Sequence, residues 1–229
     1  YNEGYGVTYK GVDYAVETGV KLVIVLDCGI KAIDEIAYAK EKGIDFIIFY
    51  HHVPDDELPD AVAILNAKRP DATDPYPHLS GCGVGFKFMQ AFAKDNGIEF
   101  IHLMPLLDLV AVSVASDIVP IMGENRVLTY HGLRQINSNP SVGLKAIIDV
   151  CGLSEKEITM GDIIFKIGPR INASGRIQNG KEAVDLLTER DFKIAIEKSN
   201  RINRYNETRK DLDKAMTEEA NKIVEGLDS

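Results

Sequence analysis

The sequence has no long apolar run and few cysteines. No segment of its 229 residues approaches the roughly 20 apolar residues that a membrane-spanning helix needs, so we expect no membrane span. The three cysteines, Cys28, Cys82 and Cys151, form no CxxC pair and no zinc-binding spacing, and their odd number argues against a disulfide framework. The start at Tyr1 has neither a signal peptide nor an initiator Met. We therefore expect a cytoplasmic protein whose first residue is a cut end.

Positive charge is also scarce. The formal net charge is -9, which predicts no broad electrostatic attraction to nucleic acid. If the protein handles DNA, the attraction must come from a local basic site, from bound metal, or from further parts of the protein. The apolar fraction of 45% suits a globular chain with a real core.

The first half alternates strand and helix patterns. Lys21–Asp27, Asp45–Phe49 and Ala61–Leu65 are short apolar runs of the kind that form buried parallel strands. Ile30–Glu41 has helical spacing and separates the first two runs. Strand, helix and strand at this spacing predict an α/β fold with a doubly wound, mostly parallel sheet.

The second half is predicted to be mostly helical. Ser154 and Glu157 form a capping-box pattern at the start of one helix. From about Asp191 to Leu227 the chain is highly charged and has no Gly or Pro before Gly226, which predicts one helix of roughly 55 Å. A helix so long and polar is typical of a connection to another domain. We therefore predict a globular domain over residues 1–190 and a connecting helix over 191–229. The other predicted helices are Gly83–Asp95, Pro105–Val114, Asn125–Gln135 and Ser141–Cys151.

Two predicted strands end in residues that can bind a metal. Asp27 ends the first strand, and His51 and His52 lie just beyond the second. Ligands bind at the carboxyl edge of open parallel sheets, so these side chains are expected to meet there. Carboxylate and imidazole together suit Mn²⁺ or a similar divalent ion. From the residues alone, an Asp that caps the next helix and a His pair in an ordinary loop remain the alternatives.

Three further segments carry polar groups that could serve a site. Asp117 follows a long apolar run and either faces a polar cavity or caps a helix end. Ser80 and Gly81 begin a Gly-rich turn before a helix, where backbone amides can hold a phosphate. The segment Gly168–Arg176 places Arg170, Asn172 and Arg176 in what we predict to be a Gly/Pro-framed loop. Arginine forks match phosphate oxygens, although an ordinary solvated loop remains the alternative.

In this order along the chain, these segments resemble the DHH phosphoesterases, and within them the RecJ-type nucleases. The resemblance covers nearly the whole sequence, and its specificity comes from the combination of motifs. The matching pieces are Asn2–Gly6, Val25–Gly29, His51-His52 with Leu58–Ala61 and Ile64–Asn66, Ser80–Gly83, Ala115–Pro120 with Glu124–Arg126, and Gly168–Arg176.

The resemblance implies 5′-to-3′ hydrolysis of single-stranded DNA with Mn²⁺ or Mg²⁺ in a two-metal site. It implies that Asp27, His51 and Asp117 are metal ligands and that His52 contacts the scissile phosphate. Arg170 would hold the substrate backbone, and we expect Ser80, Gly81, Asn172 and Arg176 to take part in substrate binding. Single-stranded DNA is the expected partner, with single-strand-binding protein as a second.

Two departures from the family pattern matter. The signature Asp-His-His begins here with Tyr50, which supplies no carboxylate at neutral pH. The family's first Asp-rich motif and its C-terminal DNA-gripping domain would lie outside this sequence, so the chain by itself is expected to be inactive. Two alternatives stay open: a relative acting on short oligonucleotides or cyclic dinucleotides, and a binding module that has lost its metal site.

Overall fold

The computed structural model describes residues 6–177 and 180–227, with side chains described up to Gly175 and from Gly180 to Val224. Two compact units divide the chain, residues 1–132 and residues 133–229. The elements of the first unit are α1 (Tyr9–Glu17), β1 (Leu22–Leu26), α2 (Ile33–Glu41), β2 (Asp45–Phe49), β3 (Ala63–Leu65), α3 (Gly81–Asp95), α4 (Leu107–Ser116) and the first part of α5 (Gly123–Ser138).

The three strands form a parallel sheet in the order β1-β2-β3. Leu26 pairs with Phe49, and Phe49 with Leu65, so the carboxyl ends of the strands lie side by side. The predicted strands are thus confirmed, with ends shifted by one or two residues. The parallel sheet between helices also confirms the predicted fold class.

Helices cover both faces of this sheet. Phe46 and Ile48 of β2 pack with Val12 of α1 and Ile36 of α2 in one buried cluster. On the opposite face, the ring of Phe49 lies 4.9 Å from the ring of Phe88 in α3. The doubly wound arrangement follows from this alternation, since successive strand residues point to opposite faces.

Strand β1 is less covered than β2. Leu22, Ile24 and Leu26 are 47%, 48% and 55% exposed, whereas Val23 and Val25 pack against the cluster on the other face. Among the described residues, β1 pairs with β2 alone.

The second unit is helical. The segment Gly168–Arg176 was predicted to be a loop, and this is wrong: a π-helical turn, Ile163–Ile167, leads directly into a helix there. Proline is tolerated in the first turn of a helix, where its missing N–H is not needed, so Pro169 does not break it. The elements that follow α5 are α6 (Val142–Val150), α7 (Met160–Asp162), α8 (Gly168–Ile177), α9 (Lys181–Leu187) and α10 (Phe192–Leu227).

The long helix is confirmed as α10, with 36 residues and a length of about 54 Å. Its first half packs on α6, α8 and α9 and buries Ala195 and Ile202. Its second half exposes Leu212 and Met216. The structure divides into its two units after Gly132, and the first half of α10 packs within the second unit. The division into a domain over residues 1–190 and a connecting helix over 191–229 stays a prediction.

No helix among the described residues is both long and apolar enough to cross a membrane.

Candidate metal centre

The sheet delivers Asp27 and His51 to one edge because its backbone pairing continues past the strand ends. The amide of Asp27 donates to the carbonyl of Phe49 at 2.8 Å, and the amide of Tyr50 donates to the carbonyl of Leu65 at 3.0 Å. At Asp27 the backbone then turns away with φ of 60°, in the left-handed region that Asp adopts more readily than most residues. The carboxylate of Asp27 and the two imidazoles that follow β2 are thereby brought together.

Three side chains form a compact set of ligand atoms. Asp27, His51 and His52 each offer one atom, and all three atoms lie within 4.8 Å of one another. The Oδ1 atom of Asp27 lies 3.2 Å from Nε2 of His51 and 4.0 Å from Nε2 of His52. His51 is buried at 5% exposure, whereas the side chain of His52 is 60% exposed.

The buried atoms of this set have no aligned hydrogen-bond partner among the described residues. Oδ1 of Asp27 and both ring nitrogens of His51 are in this state, because the short contact between them has poor donor geometry. Buried polar atoms without partners are rare in folded proteins and are explained by an ion or water that they would bind. A carboxylate and two imidazoles are a suitable donor set for a divalent cation such as Mn²⁺. The residues therefore fit a metal.

Asp117 lies within electrostatic reach of this set. Burial raises the pKa of the Asp117 carboxyl, the charge of Asp27 adds to the rise, and His51 opposes it. The contact with Asp27 raises the pKa of the His51 imidazole and outweighs the lowering effect of burial. Asp117 is held by Ser113, whose hydroxyl lies 3.3 Å from its Oδ2, and by the amide of Gly81. Its carboxylate is not among the atoms of the 4.8 Å cluster.

The start of α3 packs directly against Asp27. A Cβ atom added to Gly81 would lie 2.7 Å from Cγ of Asp27, so only glycine fits there without a shift. The hydroxyl of Ser80 is buried and accepts a hydrogen bond from the amide of Gly83 at 3.2 Å. Ser80 therefore caps the start of α3, and its contact with substrate stays a prediction. The amide of Gly83 donates to Ser80, and the amide of Gly81 faces the carboxylate of Asp117.

Two buried asparagines fasten the loops around the centre. Asn66, just after β3, donates to the carbonyl of His52 at 2.9 Å. Asn125 is fully buried and donates to the carbonyl of His78 at 2.6 Å and to that of Pro120 at 3.0 Å. Asn125 thus links the segment that precedes Ser80 to the segment that follows Asp117.

Tyr50 lies beside the imidazoles. Its ring centroid is 5.3 Å from that of His52 and 6.5 Å from that of His51. Tyr50 also lines cavities of about 340 Å³ and about 290 Å³ near the centre. The aromatic ring therefore occupies the place where the family signature has a carboxylate.

The arginine segment belongs to the second unit. Arg170 donates from Nε to Oδ1 of Asn203 and from Nη1 to the carbonyl of Lys166, both at 2.8 Å. Asn172 is exposed, and the side chain of Arg176 lies outside the described residues. The structure therefore anchors Arg170 to its own unit and leaves its contact with substrate as a prediction.

Sequence reasoning missed three residues that shape this centre. Asn66 and Asn125 were recognised as parts of motifs but were not assigned a role, and Gly81 was assigned to phosphate binding. An Asn directly after a strand, level with the predicted ligands, was the available indication for Asn66. For Gly81 and Asn125 no local pattern existed, since Gly81 meets Asp27, 54 positions away, and Asn125 bonds to His78, 47 positions away.

Comparison with known proteins found similar sequences along the whole chain. Residues 3–114 match the DHH family, N-terminal domain. The chain is 38% identical over 230 residues to the single-stranded-DNA-specific exonuclease RecJ of Bacillus subtilis, which covers 100% of this chain and 28% of that protein. It is 35% identical over 235 residues to the exonuclease of the same name from Haemophilus influenzae, covering 99% of this chain and 41% of that protein.

A solved structure shares the fold. The crystal structure of exonuclease RecJ bound to manganese matches with a TM-score of 0.83 and 30% identity, over 95% of this chain and 54% of that chain. The chain spans less than half the length of the two curated relatives described above.

Proposed function

Since this chain belongs to the DHH family as a RecJ-type member, we propose that the protein is a metal-dependent exonuclease acting on single-stranded DNA. It hydrolyses phosphodiester bonds stepwise from the 5′ end and serves DNA repair and recombination. The relatives carry the name of this activity, and one neighbouring structure contains manganese.

The cluster of Asp27, His51 and His52 is the observation that carries the proposal. Its ligand atoms lie within 4.8 Å of one another, and the buried Oδ1 and ring nitrogens have no aligned partners among the described residues. Burying such atoms unpaired is costly unless something binds them. A divalent cation satisfies them together.

We assign the residues distinct tasks. Asp27, His51 and Asp117 would hold Mn²⁺ or Mg²⁺, in a site that takes two ions in the full-length protein. The bound ions would supply an activated water and stabilise the charge on the attacking and leaving oxygens. His52 has an exposed side chain and is free to reach toward the scissile phosphate.

Substrate binding is assigned to a different set of residues. Arg170, Asn172 and Arg176 would contact the DNA backbone, with Arg170 held in place by Asn203 and the Lys166 carbonyl. Ser80 and Gly81 would contribute through the helix start that packs against Asp27. The proposal also includes single-strand-binding protein as a partner and the cytoplasm as the location.

The test uses the full-length protein with Mn²⁺ and a single-stranded oligonucleotide labelled at either end. Release of the 5′ label as a mononucleotide before the 3′ label is expected, with little hydrolysis of duplex DNA. Asp27→Asn and His51→Gln should each abolish Mn²⁺ binding, measured by calorimetry, and hydrolysis. Hydrolysis of cyclic dinucleotides without degradation of long strands would instead identify a small-substrate phosphodiesterase. DNA binding without Mn²⁺ binding would identify a non-catalytic module.

A further inference from the structure

The position of Asn66 gives it a task that no ligand assignment includes. We propose that Asn66 is a positioning residue for the metal centre, which fixes the loop of His51 and His52 by holding the carbonyl of His52. The inference rests on the proposed function, since it concerns the same centre.

Strand pairing places Asn66 level with the histidines. Asn66 is the first residue after β3, and β3 runs parallel to β2, which ends at Phe49. The hydrogen bond from the Tyr50 amide to the Leu65 carbonyl extends this pairing one residue beyond the strand. Beyond the last backbone hydrogen bond, the side chain of Asn66 can therefore connect the two segments.

Both ends of the Asn66 amide are engaged. Its Nδ2 donates to the carbonyl of His52 at 2.9 Å, and its Oδ1 accepts from the amide of Lys68 at 2.8 Å. The side chain is buried at 6% exposure. The bond from Lys68 is the local turn that Asn side chains commonly form, and it orients the amide so that its donor faces His52.

His51 needs such a constraint because its ring lacks the usual one. A metal-binding histidine generally donates its second ring N–H to a carboxylate or carbonyl, which sets the ring orientation. In the described residues, neither ring nitrogen of His51 has an aligned partner. The ring of His51 also lies 3.9 Å from the ring of His52, so displacement of one affects the other. The backbone of the loop therefore contributes to the positions of both rings.

Two substitutions in the full-length protein separate the two bonds of Asn66. Asn66→Ala removes both bonds, whereas Asn66→Asp keeps the acceptor for Lys68 and loses the donor to His52. Both variants should bind Mn²⁺ about 10–100-fold more weakly, the usual effect of losing a supporting partner of a ligand. Mn²⁺ binding is measured by electron paramagnetic resonance, in which the free ion gives a distinct six-line spectrum. At saturating metal, kcat should fall while KM for single-stranded DNA stays near the original value.

Asn137 provides a matched control in the second unit. Its Nδ2 donates to the carbonyls of Leu133 and Ile158, and its Oδ1 accepts from the amide of Ile158. Asn137→Ala and Asn137→Asp should lower the midpoint of urea unfolding and leave Mn²⁺ affinity unchanged. If the Asn137 variants lose as much Mn²⁺ affinity as the Asn66 variants, the effect is general destabilisation and the inference is wrong.

Other outcomes also decide the matter. Wild-type Mn²⁺ affinity in Asn66→Asp would show that the bond to His52 positions nothing and would overturn the inference. Failure of the unsubstituted protein to bind Mn²⁺ would contradict the proposed function and the inference with it. If both Asn66 variants bind Mn²⁺ and hydrolyse DNA as well as the unsubstituted protein, the inference is wrong and the proposed function stands.

Discussion

Asp27 combines two properties at one position. Its φ of 60° turns the chain off the end of β1, and its carboxylate approaches both imidazoles. Asp and Asn adopt this left-handed conformation more readily than other residues with a side chain, and only Asp also brings a charged oxygen ligand. Both the backbone conformation and the need for a charged ligand therefore favour Asp at this position.

The packing of Gly81 against Asp27 leads to a first prediction. In Gly81→Ala the new Cβ would lie 2.7 Å from Cγ of Asp27, so the carboxylate must move. Displacing a catalytic group by about 1 Å can cost about 100-fold in rate, and we expect a loss of that size in kcat/KM of the full-length protein. Gly161→Ala is the control, since its added Cβ meets only an ordinary 3.6 Å contact. Equal activity of the two variants would show that Asp27 tolerates the displacement.

Tyr50 supports a second prediction at this scale. Tyr50→Asp in the full-length protein should raise Mn²⁺ affinity or activity by about 10–100-fold, because it restores a carboxylate beside the imidazoles. Tyr50→Asn is the control, since it matches the size of Asp and lacks the charge. Mn²⁺ titrations and rates of single-strand degradation measure the effect. If Tyr50→Asp is no more active than the unsubstituted protein, the prediction is wrong and the Tyr50 side chain supports the centre as well as a carboxylate would.

At the scale of elements, the sequence predicted the strands and most helices well. Asp45–Phe49, four apolar residues after one Asp, forms the central strand as predicted, and the polar α10 contains neither Gly nor Pro before Gly226. The predicted capping box at Ser154 is wrong: the box lies at Thr159 and Asp162, five residues further on. Pattern alone cannot separate neighbouring Ser and Thr caps, because the choice depends on how the following turn packs.

An ion pair between Glu189, just before α10, and Lys198 of α10 contributes to stability in a pH-dependent way. Interaction with Lys198 lowers the pKa of the Glu189 carboxyl to about 2, below the value of about 4.3 for an unfolded chain. A lowered pKa stabilises the folded state above pH ~4.3, and this contribution disappears as the pH falls toward 2. Glu189→Gln should therefore lower the urea midpoint at pH 6, and the difference from the unsubstituted protein should shrink between pH 4.3 and 2.

A neighbouring exposed glutamate serves as the control for this pH effect. Glu197 is exposed on α10, the helix that carries Lys198, and makes no ion pair among those found in the described residues. Glu197→Gln should leave the midpoint and its pH dependence unchanged. A difference for Glu189→Gln that is constant from pH 6 to pH 2.5, followed by circular dichroism, would contradict the assignment to this ion pair.

On the scale of the whole molecule, the sequence predicted the fold class and the meeting of Asp27 with the histidines. Both depend on one rule, that parallel strands end at the same edge. The division after Gly132 and the contacts of Asn125 could not be predicted, because they arise from packing between residues far apart in the sequence.

The final prediction concerns this chain by itself. The 229 residues should show little or no nuclease activity with Mn²⁺, because they span 28% of one relative and 41% of another. Three side chains make up the metal-ligand cluster found among the described residues, fewer groups than a site for two ions needs. Release of mononucleotides is measured with purified chain, and His51→Gln controls for contaminating nucleases. Degradation that the His51→Gln variant abolishes would contradict the prediction.

The exposed face of β1 has a consequence for handling the molecule. Leu22, Ile24 and Leu26 form an apolar row on a strand whose second edge has no partner among the described residues. An unpaired apolar edge is a template for strand addition between copies, and natural sheets usually blunt it with lysine, proline or a bulge. Here Lys21 and Asp27 are the charges that flank the row, and none lies within it. We therefore expect edge-to-edge association between copies to limit the solubility of the isolated chain.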